Sequence, residues 1–331
     1  MKNFIVFWVL GTVCLGPVSG IAGHSGGDKS PDAGGALQVL FWNLENFFDW
    51  KDGGGGESDT EFSSFGERHW TRRRFETKCR SVAKSILYIA QQTGAPPDVI
   101  GVAEVENRYV LERLLDGTPL FALGYCIVHF DSPDHRGIDC GLLYRKDRLR
   151  LAGAEAVHVL LEDGSVLETR DILLARFVTE AGDSIAISVN HHPSKYGGAA
   201  SGPKRQAAMR TLATLADRLS REGWRGQLAI GDFNDTPRTG TPLDGVYVNL
   251  AVPLARAGEG SLRFDGRWEL IDQALCTPEL AGRSHMEVVK LPFLMVRDTV
   301  HPGLKPLRTY SGPRYLGGVS DHCPVLVHVV M

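Results

Sequence analysis

The stretch AIGDFNDTP, residues 229–237, decides how this chain of 331 residues is interpreted. An apolar run ends at Gly231 and is followed at once by Asp232, Asn234 and Asp235. Glycine, aspartate and asparagine all favour tight turns, so turn formation alone could explain the pattern. A metal or phosphate site is the alternative, because hard cations prefer oxygen ligands held on a rigid strand end. The two explanations differ in whether other strand ends carry matching side chains.

Five other segments, far apart in the chain, also change from apolar residues to Asn, Glu, His or Asp at a predicted strand boundary. They are FWNLEN with Asn43 and Glu45, GVAEVEN with Glu104, SVNHHPSKYGG with Asn190, His191 and His192, ELIDQAL with Asp272, and GGVSDHCPVLVHV with Asp321 and His322. Each segment alone is typical of a turn or a solvated strand end. Turns require no paired histidines, however, and core strands require no acid at one end. The joint pattern therefore predicts a site at which these strand ends meet.

The chemistry available to this set is narrow. Asn43, Glu104 and Asp321 offer oxygen donors that suit Mg²⁺, or else Mn²⁺ or Ca²⁺, and do not suit zinc. The histidines and the remaining aspartates suit proton transfer, since an aspartate fixes the tautomer of a histidine that it contacts. No G-x-S-x-G nucleophile elbow joins a predicted strand to a predicted helix, and no G-x-x-x-x-G-K-[ST] phosphate loop is present. The set predicts metal-assisted hydrolysis of a phosphate ester.

In this order, the motifs Asn…Glu…His…GDFN…Asp…SDH resemble those of the endonuclease/exonuclease/phosphatase superfamily, over roughly residues 37–330. That family includes pancreatic-type deoxyribonucleases, exonuclease III-type repair nucleases, sphingomyelinases and inositol-polyphosphate phosphatases. GDFN and SDH are specific when they occur together in this order. RGIDCGLLYR and HHPSKYGG are similar to a secreted bacterial, nuclease-like branch. The resemblance implies a four-layer α/β sandwich of two packed sheets flanked by helices.

The resemblance also implies roles for the residues that match the family's motifs. The metal-binding positions are Asn43, Glu104 and Asp321, and the catalytic positions are His191, Asp232, Asn234, Asp272, His322 and Asp139. In the family pattern Asp232 and Asn234 contact the scissile phosphate and the attacking water. Asp272 orients His322, which is the general base or stabilises the phosphate, and Asp139 supports His191. Polar side chains near these motifs are expected to bind substrate: Arg136, Asn190, Lys195 and Arg308.

Many strands and few long helices predict an α+β protein with helices outside two mostly antiparallel sheets. The predicted strands are 37–42, 98–105, 124–130, 138–145, 155–161, 171–178, 184–190, 226–231, 268–276, 285–290 and 324–330. The predicted helices are 67–92, 107–116 and 203–222. The first helix carries an apolar stripe with steps of three and four, formed by Phe75, Cys79, Val82, Ile86 and Ile89. Residues 51–66, which include DGGGGESD, are predicted to be a flexible loop.

The N-terminal residues predict export. Lys2, the apolar run Phe4–Leu10 and the small residues Val18-Ser19-Gly20 are typical of a cleaved signal peptide. We therefore expect a signal peptide at residues 1–22, a disordered segment at 23–36, one catalytic domain at 37–331, and a secreted or periplasmic location. An uncleaved signal is the alternative, and it is the one route to a membrane that the sequence offers.

Composition and charge exclude some classes of protein. With 43% hydrophobic and 23% charged residues, the chain has ordinary globular composition. The formal net charge is −3, and loss of Lys2, the only charge in residues 1–20, gives −4. Such a protein has no global field that attracts nucleic acid, so binding to a polyanion depends on local cations. The five cysteines after Cys14 are odd in number and widely spaced, which predicts buried thiols and neither a disulfide framework nor a structural zinc site.

Three functions are compatible with these features. The first is a secreted Mg²⁺-dependent phosphodiesterase that hydrolyses nucleic acid. The second is a phosphomonoesterase or a sphingomyelinase-like lipid phosphodiesterase, for which the apolar stretch 291–296 would have to be exposed. The third is an inactive binding module on the same fold. Ala103-Glu104 stands where repair nucleases have Gln-Glu, and no long basic insertion for gripping duplex DNA is present, which argues against DNA repair. No obligate protein partner is evident.

Overall fold

This computed structural model describes residues 36–331, and short strands dominate its architecture. The predicted signal peptide and residues 23–35 of the predicted disordered segment lie outside the described residues. In the described part of the chain the strands are β1 Ala36–Phe47, β2 Val99–Val105, β3 Tyr125–His129, β4 Asp139–Arg145, β5 Leu149–Val157, β6 Ile172–Thr179, β7 Ser184–His191, β8 Gln227–Asp232, β9 Val248–Asn249, β10 Leu262–Phe264, β11 Arg267–Glu269, β12 Asp272–Cys276, β13 Ser284–Val288, β14 Met295–Arg297, β15 Leu304–Pro306, β16 Tyr310–Ser311, β17 Arg314–Tyr315 and β18 Val325–Val330. The α-helices are α1 Glu57–Glu61, α2 Arg72–Thr93, α3 Arg108–Asp116, α4 Ser201–Arg221, α5 Val252–Arg256 and α6 Pro278–Ala281. Short 3₁₀ helices span Pro119–Leu123, Lys195–Ala200 and Pro292–Leu294.

Two six-stranded sheets carry the fold. The first has the strand order β13-β18-β1-β2-β4-β3, and the second has the order β5-β6-β7-β8-β12-β9. Each sheet contains one parallel pair, β1 with β2 and β7 with β8, and the other pairs are antiparallel. Three hairpins of two short strands each lie outside them, β10-β11, β14-β15 and β16-β17. The prediction of an α+β fold with mostly antiparallel sheets is confirmed.

The two sheets pack face to face, with helices on both outer sides. Alternate residues such as Phe41 of β1, Val189 of β7 and Ile230 of β8 fill the space between the sheets. The intervening residues of the first sheet pack against α2 and α3, and those of the second sheet pack against α4. Because side chains alternate between the faces of a strand, every central strand is apolar on both sides. The predicted four-layer sandwich is therefore confirmed.

In helix α2 the local sequence determines which face is buried and where the helix begins and ends. All five residues of its predicted apolar stripe are buried. Thr71 caps the helix by accepting a hydrogen bond from the backbone N–H of Arg74, and Gly94 ends it in the left-handed conformation with φ 82°. The helix thus begins five residues later than the predicted start at Glu67, since the preceding segment instead buries Trp70.

Three predicted segments differ from the structure. The predicted strand over 268–276 is divided into β11 and β12, which belong to different sheets. Strand β5 ends at Val157, whereas we expected a strand over 155–161. The predicted loop over 51–66 contains helix α1, and the backbone N–H of Glu57 donates to the carbonyl of His135 at 2.9 Å. In the same loop the N–H groups of Gly53 and Gly55 both donate to the buried carboxylate of Asp59. A buried acid therefore organises a stretch whose composition predicted only flexibility.

The cysteines agree with the prediction of unpaired thiols. Cys79, Cys140, Cys276 and Cys323 are buried, Cys126 is half-buried, and all five are free. Within residues 36–331, no helix combines the length and the apolar character that crossing a bilayer requires.

Candidate active site

The candidate site lies at one end of the space between the two sheets. The strand faces that fill this space are apolar along most of their length and end in polar residues: Asn43 on β1, His191 on β7, Asp232 on β8 and Asp272 on β12. Asp232 and Asp272 are direct cross-strand partners. All four side chains are buried. Side chains alternate between the two faces of each strand, and this alternation, which fills the core, therefore also brings these four side chains together.

Glu104 reaches the same place through a β-bulge. Strict alternation would turn Glu104 toward the helices with Ile100 and Val102. The register of β2 shifts at this residue against both neighbouring strands, and Glu104 has φ 60°. The bulge turns its carboxylate to the amide of Asn43, at 3.3 Å, and toward Nε2 of His191, at 3.9 Å. Bulges commonly re-aim side chains beside active sites.

Two contacts join the two sheets across the site, those of Asn43 with Asp232 and of His322 with Asp272, and a third contact lies within the second sheet. Nδ2 of Asn43 donates to Oδ2 of Asp232 at 3.1 Å. Nε2 of His191 lies 3.8 Å from the same oxygen. Nδ1 of His322 lies 2.7 Å from Oδ2 of Asp272. Asn43 and His322 belong to the first sheet and its loops, whereas the other three residues belong to the second, so the site exists only where the sheets meet.

The pair formed by His322 and Asp272 is positioned by backbone contacts. The hydroxyl of Ser320 accepts from the N–H of His322 and donates to the carbonyl of Asn43. The indole N–H of Trp42 donates to the carbonyl of His322 at 2.9 Å. With Nδ1 held by Asp272, Nε2 of His322 points toward Asp232 and Asp321, at 4.0 and 3.9 Å. The ring is thereby aimed into the site.

Burial and neighbouring charges drive the pKa values of the two histidines apart. Burial and the nearby guanidinium groups of Arg170 and Arg136 hold the pKa of His191 well below its usual value. Burial alone would also lower the pKa of His322, but the charge and hydrogen bond of Asp272, together with Asp232, raise it well above its usual value. At neutral pH His191 is therefore neutral and His322 is charged. Such divergence separates a proton acceptor from a proton donor or charge stabiliser.

The carboxylates of the site differ in the same way. Burial and the adjacent charge of Asp272 raise the pKa of Asp232 to about 7. Burial would raise the pKa of Glu104 too, but Arg136 and the backbone N–H of Asn46 outweigh it, so that this pKa is lowered. Glu104 is thus a permanent anion, and Asp232 is able to exchange a proton near neutral pH.

A second group of charges borders the site and was not predicted as a unit. Arg308 contacts Oε1 of Glu45 at 2.8 Å and Oδ2 of Asp321 at 3.1 Å. Burial and Asp321 raise the pKa of Glu45 to about 7. Beneath it, the ammonium of buried Lys78 donates to the carbonyl of Glu45 and to the hydroxyl of Thr309. The predicted substrate residue Arg308 is therefore already paired with two carboxylates.

Arg136 lies where the sequence placed it, and a buried ion pair supports its loop. Its guanidinium donates to Oδ1 of Asn46 at 2.6 Å and lies 3.6 Å from Glu104. Asp134 accepts from the N–H of Arg136 and pairs with Arg170 at 2.9 Å. Arg170 also donates to the carbonyl of His192 at 2.8 Å. Arg170, which sequence analysis missed, thus ties the loop of Arg136 to the end of β7.

Asn234 is near the centre of the site but is held by the protein. Its N–H donates to Oδ1 of Asp232 at 2.8 Å, and its side-chain NH₂ donates to the carbonyl of His192 at 3.0 Å. With φ 50° the residue turns sharply after β8. This arrangement leaves the side-chain oxygen of Asn234 as its group for contacting water or substrate.

Three predicted site residues have other contacts in the structure. Asp139 was expected to support His191, but its carboxylate accepts from Ser132 at 2.5 Å and lies 3.2 Å from His129, on the same side of β4 as the Arg136 loop. Asn190 was expected to bind substrate, yet it is fully buried on the opposite face of β7 from His191 and donates to the carbonyl of Ile230. An alternating strand cannot present two successive side chains to one site.

Lys195 is the third of these residues. Its exposed ammonium lies 3.4 Å from Glu269 and 3.8 Å from Asp235, beyond the end of β8. In the described structure these acids, rather than the central carboxylates, are its partners. Binding of substrate by Lys195 stays a prediction.

The donor set suits a hard divalent cation. Carboxylate oxygens of Glu104 and Asp232 lie 3.9 and 3.8 Å from Nε2 of His191, and those of Asp321 and Asp232 lie 3.9 and 4.0 Å from Nε2 of His322. Among the described residues, Asp232, Asp272 and His322 already hold their ligand atoms within 4.8 Å of one another, as do His129, Asp131 and Asp139. Asn43 differs from its predicted role: its amide nitrogen faces the carboxylates, while its oxygen accepts from the N–H of Glu45 at 2.9 Å. Ligation by Asn43 would require this amide to rotate.

Comparison with known families agrees with this geometry. A family model described as "Endonuclease/Exonuclease/phosphatase family" matches residues 38–331. The chain belongs to this family. It is therefore a phosphoric ester hydrolase of a class that depends on divalent metal ions, as its motifs predicted. No curated protein matches the chain in sequence.

Several solved structures share the fold at low sequence identity. The catalytic domain of human Nocturnin with bound sulfate is 16% identical, with a TM-score of 0.56, and the match covers 89% of this chain and 93% of that one. An endonuclease/exonuclease/phosphatase family protein from Bacteroides thetaiotaomicron is 16% identical, with a TM-score of 0.54 and coverage of 89% and 98%. D. rerio TDP2 complexed with a single-strand DNA product is 14% identical, with a TM-score of 0.52 and coverage of 89% and 99%.

Proposed function

We propose that this chain is a secreted phosphodiesterase that hydrolyses nucleic acid and uses Mg²⁺, with Mn²⁺ or Ca²⁺ as the alternatives. The observation that carries the proposal is the cluster in which Nε2 of His191 and Nε2 of His322, the latter ring held by Asp272, both lie near Oδ2 of the buried Asp232, at 3.8 and 4.0 Å. A phosphoryl group in front of these residues meets a proton acceptor, a proton donor and a charge stabiliser together. The TDP2 complex with a single-strand DNA product shows the fold in another protein with such a ligand.

Each residue has a distinct role in this mechanism. Asp232, with a pKa of about 7, accepts the proton of the attacking water. Asn234 orients that water through its free side-chain oxygen. His322, charged and held by Asp272, gives its Nε2 proton to the leaving oxygen as the bond between that oxygen and phosphorus breaks and the water oxygen forms the new bond to phosphorus. His191 remains neutral and contacts a second oxygen of the phosphate.

The metal ion would be held by Glu104 and Asp321, beside Asp232. When bound, it supplies Lewis-acid stabilisation of the phosphoryl oxygens. Glu104 is suited to this role because Arg136 and the N–H of Asn46 keep it ionised. The bulge of β2 fixes the direction of its carboxylate.

The site has two groups that can carry a proton, and this favours a diester of nucleic acid over a small monoester as the substrate. The leaving group of a diester is a poor one, so the reaction gains from His322 in addition to Asp232. No helix or ribbon in the described structure is placed to read base edges in a groove, which favours low sequence preference. The N-terminal residues that predict export support an extracellular or periplasmic enzyme.

The test is hydrolysis of single-stranded and duplex DNA, RNA, sphingomyelin and inositol phosphates by the purified chain, each with Mg²⁺ and with chelator. We expect cleavage of DNA or RNA that chelator abolishes and that falls steeply with added salt, as counterion release requires. Rapid hydrolysis of inositol phosphates with intact nucleic acid would overturn the proposal. So would unchanged cleavage in the presence of chelator.

One observation favours a lipid phosphodiesterase as a second candidate. The stretch 291–296 does not provide an apolar contact with a membrane, because Leu291 is buried and Phe293 packs on Tyr88. Phe264, however, is 66% exposed at the end of β10, which is bridged to His322 through Leu262. Val300 is exposed on the neighbouring hairpin arm. The sphingomyelin arm of the experiment decides this candidate.

A further inference from the structure

A pocket of about 120 Å³ opens next to the metal-side carboxylates and has no part in the chemistry proposed above. It begins at Glu45 and Asn46 and is bounded by Phe62, Arg68, Arg308 and Tyr310. Asn46 joins it directly to the site, because its N–H donates to Glu104 at 2.8 Å and its side-chain oxygen accepts from Arg136. A substrate group attached to the scissile phosphate can therefore enter the pocket.

The charges around the pocket are already matched. Arg68 contacts Oε1 of Glu61 at 2.6 Å, and Arg308 contacts Glu45 and Asp321. No unpaired cation is left among these lining residues to hold a second phosphate group. The pocket is suited instead to an uncharged polar group.

Arg68 provides a flat surface within this pocket. Its guanidinium carbon lies 5.6 Å from the ring centroids of both Phe62 and Tyr310, and these rings are buried. Glu61 and the carbonyl of Gly312 hold the guanidinium in place from two further directions. The side chain of Arg68 is still 26% exposed. A guanidinium plane fixed in this way is a surface on which nucleobases stack.

We propose that this pocket binds the nucleoside next to the scissile phosphate, with its base stacked on Arg68. The inference rests on the proposed function, and it names nucleosides as the substrate class. Because stacking on a guanidinium reads the π-face that every base has, the pocket distinguishes nucleic acid from other phosphodiesters without selecting a sequence.

The experiment compares a short oligonucleotide with an abasic analogue that has the same phosphates. We expect the wild-type chain to cleave the oligonucleotide with a kcat/KM about tenfold above that of the analogue, the gain typical of one stacked base. Arg68→Ala is expected to remove that preference, so that the ratio of the kcat/KM values for the oligonucleotide and the analogue falls to about one. Arg68→Lys, which keeps the charge and loses the plane, is expected to do the same and decides the outcome if Arg68→Ala fails to fold.

Arg72→Ala is the matched control. Arg72 lies at the start of α2, pairs with Glu76 and is not among the pocket's lining residues, so its loss removes one positive charge without touching the pocket. This variant is expected to keep the preference for bases. A preference that survives Arg68→Lys, or a wild-type chain that cleaves both substrates equally, overturns the inference and leaves the proposed function standing. Failure of the wild-type chain to cleave either substrate counts against the proposed function itself.

Discussion

Four residues that build the site hold a backbone conformation that is costly for any residue except glycine. Glu45, Asn46, Glu104 and Asn234 have φ values of 48°, 51°, 60° and 50°. Such conformations cost of order 1–3 kcal/mol each and persist only where the surroundings impose them. At Glu104 the strained backbone turns the carboxylate into the site from the helix side of β2, where strict alternation would place it.

At Glu104 the predicted consequence is loss of metal-dependent turnover. Glu104→Gln keeps the size of the side chain and removes the charge that would hold the cation, so we expect hydrolysis to become undetectable and Mg²⁺ binding by calorimetry to be lost. The temperature of unfolding, measured in chelator, is expected to change little. Wild-type rates at saturating Mg²⁺ would show that the bulge serves another purpose.

Asp272 is predicted to set the pH range of activity through His322. Burial opposes the charge on His322, but Asp272 raises its pKa well above the usual value, so the ring stays charged until the pH rises through that raised pKa. Asp272→Asn removes the effect, and the alkaline limb of the kcat profile is expected to move to lower pH. His322→Ala is expected to lose about 10²–10⁴-fold in kcat.

The same titration contributes to stability. Because the folded-state pKa of His322 is raised, its stabilisation is fully present below the unfolded pKa of about 6.5 and is lost as the pH rises through the folded value. If the pH profile of kcat for Asp272→Asn matches that of the wild type, the pair of His322 and Asp272 has no part in the mechanism.

At the scale of elements, Gly101 of β2 faces the second sheet with no room for a side chain. A Cβ atom added there would lie 2.8 Å from Cδ1 of Ile230 and 3.1 Å from Cγ2 of Val189. Gly101→Ala is therefore expected to destabilise the fold by about 1–3 kcal/mol in urea unfolding. Gly202→Ala, in the first turn of α4 with open space around it, is the control and is expected to be neutral or stabilising.

The loop that carries Arg136 is predicted to depend on the buried pair of Arg170 and Asp134. Arg170→Met leaves Asp134, whose side chain is 1% exposed, without its partner, which typically costs about 3–5 kcal/mol. Combining it with Asp134→Ala is expected to cost less than the sum of the two single changes, as a double-mutant cycle of unfolding energies would show. Additive effects would mean that the pair is not coupled.

Much of this arrangement follows from the sequence because it depends on periodicity. The stripe of α2, the strand ends at Asn43 and Asp232, and the SDH segment follow from apolar patterns and turn chemistry. Glu104 was placed by its motif, although strict alternation points it away from the site. Asn190 and Asp139 were misassigned because adjacency in sequence does not show on which face of a strand a side chain lies. The burial of Lys78 could have been predicted from the sequence, since this residue falls on the buried stripe of α2 between Phe75 and Cys79.

At the scale of the whole molecule, the four packed layers bury most of the cysteine thiols, which predicts that these thiols do not react with a thiol reagent while the chain is folded. Burial raises the pKa of Cys79 and of Cys323 to about 12 and that of Cys276 to about 11, and it raises that of Cys140 further. Of the cysteines within residues 36–331, only half-buried Cys126 is expected to react with a thiol reagent at pH 8 before unfolding. Counting modified cysteines with and without urea checks this. Rapid modification of Cys140 would indicate that the sheets separate readily.

The contacts that close the site across the two sheets also determine when the chain becomes an enzyme. His322 and Asp272, like Asn43 and Asp232, come from opposite halves of the sandwich, so a chain whose sheets have formed but not docked contains only fragments of a catalytic centre. Hydrolysis therefore requires that the two sheets have docked. The time at which activity returns during refolding would accordingly report when the two sheets dock.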